Sequence, residues 1–242
     1  MKTRVFASAD DAADAAVREV AAAIRLNPSL VLGLPTGRTP LRLYDRLVAW
    51  EHAGRVSFSR VTTFNLDEFI GLGAGDQGSY RAFMERHLFG RLRRRPFKVH
   101  FLDGLAEDLE GELKRYDRAL SRAGGIELQI LGLGANGHVG FNEPGATLDT
   151  HSHRVRLHNK TREANADLFD GDVRRVPREA LTVGMSAIMC ARRALMLATG
   201  REKAPAVAAM VKGPLTTHLP ASFLQLHRDA VGLFDKSAAA GL

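Results

Sequence analysis

Leu128-Gln129-Ile130-Leu131 and the glycines that follow restrict this chain to few architectures. A short, nearly continuous apolar run bounded by turn residues suits a strand buried on both faces. Such strands belong to parallel sheets covered by helices on either side. The run breaks at Gly132 and Gly134, and Asn136, His138, Asn142 and Glu143 follow within eight residues. In open α/β sheets, ligand-handling groups stand beyond the carboxyl ends of the strands. A histidine with an acid five residues on, held by glycines, suits acid–base chemistry. Phe141 and Pro144 bracket the polar residues and give the loop a shape. The same stretch also reads as a strand, a turn and a surface loop with incidental polar groups.

The remaining elements alternate in the same way, which predicts a mainly parallel sheet with helices on both faces. Asp10 to Ile24 has helical spacing, with Asp10 or Asp11 as cap. Ser29 to Leu34 is an apolar strand, ending in Pro35-Thr36-Gly37-Arg38-Thr39-Pro40 before a helix from Leu41 to Glu51. Strand, glycine turn and helix amino end form a generic anion site, because free N–H groups and the helix dipole favour a phosphate. The turn lacks the GKS/T ending of a Walker loop and the spaced glycines of a dinucleotide fingerprint. Thr36, Gly37, Arg38 and Thr39 suit a phosphate monoester, and an ordinary βα turn is the plainer reading.

Val61 to Leu66 is the next strand and ends at Asp67 and Glu68, two candidate bases. The plainer readings are a helix cap for Asp67 and solvent exposure for Glu68. Ser79 to Phe89 reads as a helix capped by Ser79, Phe97 to Leu102 as a strand and Ala106 to Arg122 as a helix. His151 to Asn159 is polar and extended, a surface strand or lid. Its three histidines lack an acidic partner at metal-ligand spacing. Lys160 to Asp170 looks helical, and Pro177 to Ala191 includes a further helix. Arg193 to Thr199 is a strand, and Arg201 to Val211 is a helix with Lys203 in its first turn. A lysine there opposes the helix dipole, which points either to a bound anion or to plain solvation. Ser222 to His227 and Ala230 to Phe234 are expected to finish the sheet.

A chain of 242 residues suits one α/β domain or two small ones. We expect one domain spanning residues 1–242. Cys190, the only cysteine, excludes an internal disulfide and a thiolate zinc cluster, and its apolar neighbours suggest a buried thiol. No apolar run is long enough to span a bilayer, and the amino end lacks a signal-peptide core, so a cytoplasmic protein without membrane partners is expected. The net charge of +7 admits nucleic acid or a small anionic substrate. The basic residues are mostly scattered at helical spacing, and Arg91 to Arg95 reads as a solvated helix end. No aromatic platform or finger motif accompanies them, so a nucleic-acid partner is not expected.

Taken together, LGLPTGRTP (Leu32 to Pro40), TTFNLDEFIGL (Thr62 to Leu72) and LGLGANGHVGFNEPG (Leu131 to Gly145) resemble the glucosamine-6-phosphate deaminase family. KTREANADLFD, VPREALTVGM and ASFLQLH extend the resemblance across nearly the whole chain. It implies a modified Rossmann-like α/β fold, no organic cofactor and no catalytic metal. It also implies conversion of glucosamine 6-phosphate and water to fructose 6-phosphate and ammonia. By the same resemblance, Asp67 moves the proton from C2 to C1. His138 opens the sugar ring, with Asn136 and Glu143 beside it. Gly37 to Thr39 and Lys203 hold the phosphate.

This chain departs from the family pattern at four places. Asn136 stands where some members carry Asp, and Phe69 where some carry Tyr. Asp167 stands where an arginine commonly reaches the phosphate, and Arg38 where many members have a small residue. One expectation is that the phosphate cation has moved from the lid to the turn. Another is that Asp167 reads a different amino sugar, such as galactosamine 6-phosphate. A lactonase on the same fold and a non-catalytic sugar-phosphate sensor are the other readings. The chain ends soon after Phe234, so the resemblance implies no strong activation by N-acetylglucosamine 6-phosphate. Monomer and homo-oligomer are both open.

Overall fold

The computed structural model describes residues 1–242. In chain order the strands are β1 (Lys2–Phe6), β2 (Val31–Leu34), β3 (Thr62–Asn65), β4 (Asp67–Phe69), β5 (Lys98–His100), β6 (Leu128–Gly132), β7 (His153–Arg156), β8 (Glu179–Thr182), β9 (Arg193–Ala198) and β10 (Ala230–Asp235). The helices are α1 (Ala9–Leu26), α2 (Leu41–His52), α3 (Tyr80–His87), α4 (Leu109–Arg122), α5 (Asn159–Ala164), α6 (Met185–Met189) and α7 (Ala204–Lys212).

Seven strands form one sheet in the order β1-β10-β9-β6-β2-β3-β5, every pair parallel. Alternation along each inner strand divides the core. Leu32, Leu34, Leu128, Ile130, Leu195 and Leu197 pack with α1 and α2 on one face. Val31, Leu131, Ala194 and Met196 pack with α4 and α7 on the other. Each face carries 27 buried apolar residues, so neither face is left to solvent. The chain steps outward from β2 through β3 to β5 and then returns to place β6 on the other side of β2. That reversal opens a crevice between the carboxyl ends of β2 and β6, where ligands of doubly wound sheets bind.

A second sheet, antiparallel and in the order β4-β8-β7, is absent from the sequence-based reading. Asp67 pairs with Thr182, and His153 pairs with the same Thr182 on its other side. Pro177 to Ala191 includes the expected helix as the short α6, preceded by the unexpected strand β8. The expected strand Ser222 to His227 is instead a 3-10 turn, Pro220–Leu226. Gln225 explains the difference, because its side chain donates to Met210 O and Gly213 O at the end of α7 (3.0 Å each). Those bonds hold the segment against a helix end instead of a strand edge. The cap of α1 is Ser8, whose Oγ accepts from Asp11 N (3.1 Å). Asp10 and Asp11 lie in the first turn, where their charge suits the helix dipole. Helix α4 starts at Leu109, capped by Asp108, three residues later than expected. Lys160 to Asp170 is α5 followed by a 3-10 turn, Ala166–Phe169. Cys190 is exposed, because α6 ends at Met189 and turns it outward. No helix is long and apolar enough to cross a membrane.

Candidate active site

At the crevice between β2 and β6 lies a cavity of about 460 Å³. Its walls come from the chain just after β2, β3, β6 and β9, from Tyr80 of α3 and from α5. Thr36, Gly37, Arg38 and Thr39 form one wall, and Lys203 stands with them at the amino end of α7. Tyr44 of α2 donates its hydroxyl to Pro35 O and so fixes the start of the turn. No side chain caps α2, and its first N–H, that of Leu41, turns back to Arg38 O (3.3 Å), so the turn and the helix dipole face the cavity together. Burial lowers the Lys203 ammonium below its ordinary range and nearby Arg38 adds to this, while Glu202 opposes it.

Asp67 lies at the opposite wall and is 5% exposed. Burial pushes its carboxyl well up, and the neighbouring Glu68 adds to the effect. A carboxylate that holds its proton more tightly is the stronger base once ionised. Glu68 points the other way. Its carboxylate accepts from Phe69 N, Tyr80 N and Arg81 N (2.9 Å each). Burial raises it to about 7 against the pull of those N–H groups. Asp67 lines the cavity, whereas Glu68 is buried rather than solvated and holds the first N–H groups of α3, whose cap is Ser79 as expected.

The turn after β6 brings His138, Asn136 and Glu143 together. Asn136 Nδ2 donates to Glu143 Oε2 (2.8 Å), and Asn136 Oδ1 accepts from His138 N (3.3 Å). His138 Nδ1 stands 3.7 Å from Glu143 Oε2 and 3.3 Å from Thr161 Oγ1 of α5. His138 and Asn136 line the cavity, while Glu143 stands behind them, 8% exposed. Burial alone would raise Glu143. His138, Thr161 and Asn136 outweigh it and hold the carboxyl at about 2. A Cβ on Gly134 would stand 2.4 Å from His138 Cε1, so only glycine lets the imidazole lie over the turn. Gly140, at φ 56°, turns the chain back so that Phe141 N donates to Thr182 Oγ1 (3.1 Å). Asn142 is structural, with its amide donating to Val139 O and Val183 O (2.9 Å each).

Several cavity groups escaped the sequence-based reading. Tyr80 donates its hydroxyl to Asn165 Oδ1 (2.8 Å), tying α3 to the end of α5. Lys160, Thr161 and Glu202 also line the wall. His158 reaches Glu143 twice: its N donates to Oε1 (3.1 Å) and its Nδ1 stands 3.7 Å from Oε2. His151 and His153 face Asp117 and Asp149, so the three histidines go to three different acids and share no centre. Phe69 is fully buried against Tyr80, Phe141 and Phe169 and is not part of the cavity wall.

Residues 5–232 match the model of the family described as glucosamine-6-phosphate isomerases/6-phosphogluconolactonase. The chain belongs to this family. It is 43% identical over 239 residues to a glucosamine-6-phosphate deaminase of Clostridium perfringens, covering 99% of this chain and 98% of that one. It is 47% identical over 216 residues to the enzyme of the same name from Rhodopirellula baltica, covering 89% and 86%. Among solved structures, a monomeric glucosamine-6-phosphate deaminase superimposes over the full length of both chains, at 37% identity and a TM-score of 0.96. This chain shares with that structure the parallel sheet and the helices around it.

Proposed function

We propose that this chain converts glucosamine 6-phosphate to fructose 6-phosphate and ammonia, with residues 1–242 working as one unit. The observation that carries the reading is the shared cavity. An uncapped helix end with Arg38 and Lys203 occupies one wall, Asp67 another, and the His138 imidazole a third. The first wall suits a phosphate dianion and fixes which end of the sugar meets Asp67 and His138.

His138 moves a proton at the ring oxygen and opens the pyranose to its aldehyde form. Glu143 faces the imidazole, and Asn136 holds the His138 backbone N–H, so the ring is set for that transfer. Asp67 then removes the C2 proton, giving an enolamine, and returns the proton to C1. The product is a ketimine at C2. Water adds to it, and ammonia departs with the C–N electron pair, leaving fructose 6-phosphate. Closure of the cavity by α5 excludes bulk water from the enolamine.

The test is ammonia release from glucosamine 6-phosphate, beside galactosamine 6-phosphate and 6-phosphogluconolactone, for the wild type and Asp67→Asn. Turnover of the first, lost in the variant, is expected. Hydrolysis of the lactone alone would refute the reading. Arg38→Ala is expected to raise KM well beyond the effect of a surface Arg→Ala change.

A further inference from the structure

Asp167 lies in the 3-10 turn just beyond α5, two residues past Asn165 of the cavity wall. Its Oδ2 stands 3.6 Å from Nη1 of Arg38 across the cavity mouth. Both side chains are exposed, at 72% and 76%. The separation is too long for a hydrogen bond, so Asp167 holds Arg38 by charge alone. A phosphate oxygen accepting directly from the guanidinium at about 2.8 Å is the stronger partner. The same end of the cavity carries Lys160, Lys203 and one further carboxylate, Glu202. Asp167 therefore removes part of the positive potential that a phosphate would meet.

We propose that Asp167 is an internal anion that competes with the substrate's phosphate for Arg38 and so sets how tightly this chain holds phosphate monoesters. The proposal rests on the reading of the Thr36 to Thr39 turn as the phosphate site. With the cavity free, the carboxylate occupies the guanidinium. An entering dianion displaces it, and on product release the carboxylate returns. Asp167 touches neither the sugar nor the reacting carbons. It is a specificity residue acting through Arg38, and its effect falls on binding rather than on the chemical step.

The experiment is calorimetric binding of inorganic phosphate to the wild type, Asp167→Asn, Arg38→Ala and the double variant, with KM and kcat measured beside it. Asp167→Asn is expected to lower the phosphate Kd and the KM about three- to fivefold, the scale of one exposed ion pair, and to leave kcat unchanged. The gain should vanish in the Arg38→Ala background and shrink in 1 M salt, where the screening length falls to about 3 Å. An unchanged or raised phosphate Kd in Asp167→Asn overturns the proposal, as does an equal gain without Arg38. The binding arm needs no turnover. Absence of ammonia release would therefore count against the deaminase reading, while the phosphate constants judge Asp167 separately.

Discussion

Replacing Glu143 with glutamine keeps the shape of the side chain and removes its charge. The amide oxygen can still accept one of the bonds from Asn136 Nδ2 and His158 N, but the charge facing His138 is gone. In the folded chain the carboxyl titrates at about 2 instead of the ordinary 4.5. At 1.36 kcal/mol per pH unit, the fall of about 2.5 is worth about 3 kcal/mol of folding stability. Because the folded value is the lower one, this stability is fully present above pH 4.5 and drains away as the pH falls toward 2. At pH 3 about 1 kcal/mol of it is left. Urea unfolding of the wild type and Glu143→Gln at pH 6, 5, 4 and 3 is the assay. The gap between the two proteins should be widest at pH 6 and narrow by about 2 kcal/mol at pH 3. Parallel pH profiles would refute the reasoning, because they would mean that His138 and Asn136 do not stabilise the charge.

Three further changes test other parts of the site. Asp67→Asn should lower kcat by about 10²- to 10⁴-fold, as loss of a general base does. Because burial disfavours the Asp67 charge, the same change should raise stability at pH 7 in urea melts; a destabilised variant would contradict this. Gly134→Ala forces the His138 ring off its seat, and a displacement near 1 Å should cost about 100-fold in kcat/KM with the circular dichroism spectrum unchanged. Near-wild-type kinetics would show that the ring position is not critical. Phe69→Tyr places a hydroxyl in a fully buried aromatic cluster and should cost about 1–3 kcal/mol of stability without raising kcat, measured by thermal unfolding and initial rates.

The parts legible in the sequence are those in which one local signal decides. Leu128 to Leu131 is apolar at every position but Gln129, which suits an inner strand, and the glycines after it mark where the side chains turn toward a ligand. The Thr36 to Thr39 turn and Asp67 follow strands of the same kind. What escaped depends on partners distant in the chain. Strand β7 reads His-Arg-Val-Arg and β4 reads Asp-Glu-Phe, too short and too charged to announce a sheet. Strand β1 alternates no better, being mostly exposed at the sheet edge. Glu68 looked solvated because its three N–H donors come from its neighbour Phe69 and from Tyr80 and Arg81, twelve and thirteen residues on. The pairing of Arg38 with Asp167 joins residues that no local pattern relates.

The three-stranded sheet also has a mechanical consequence. Asp67 and His153 are rungs on opposite sides of Thr182, so the proposed base and the root of the α5 segment ride on one hydrogen-bonded plate. Any swing of that segment must pivot beyond Leu157, whose N still donates to Arg178 O (2.9 Å), and Glu143 clasps the next amide, that of His158. Amide exchange should therefore step along the chain, slow at the β7 amides that pair with β8 and fast from Asn159 onward, with the rate beyond the step set by how long the Glu143 clasp stays closed.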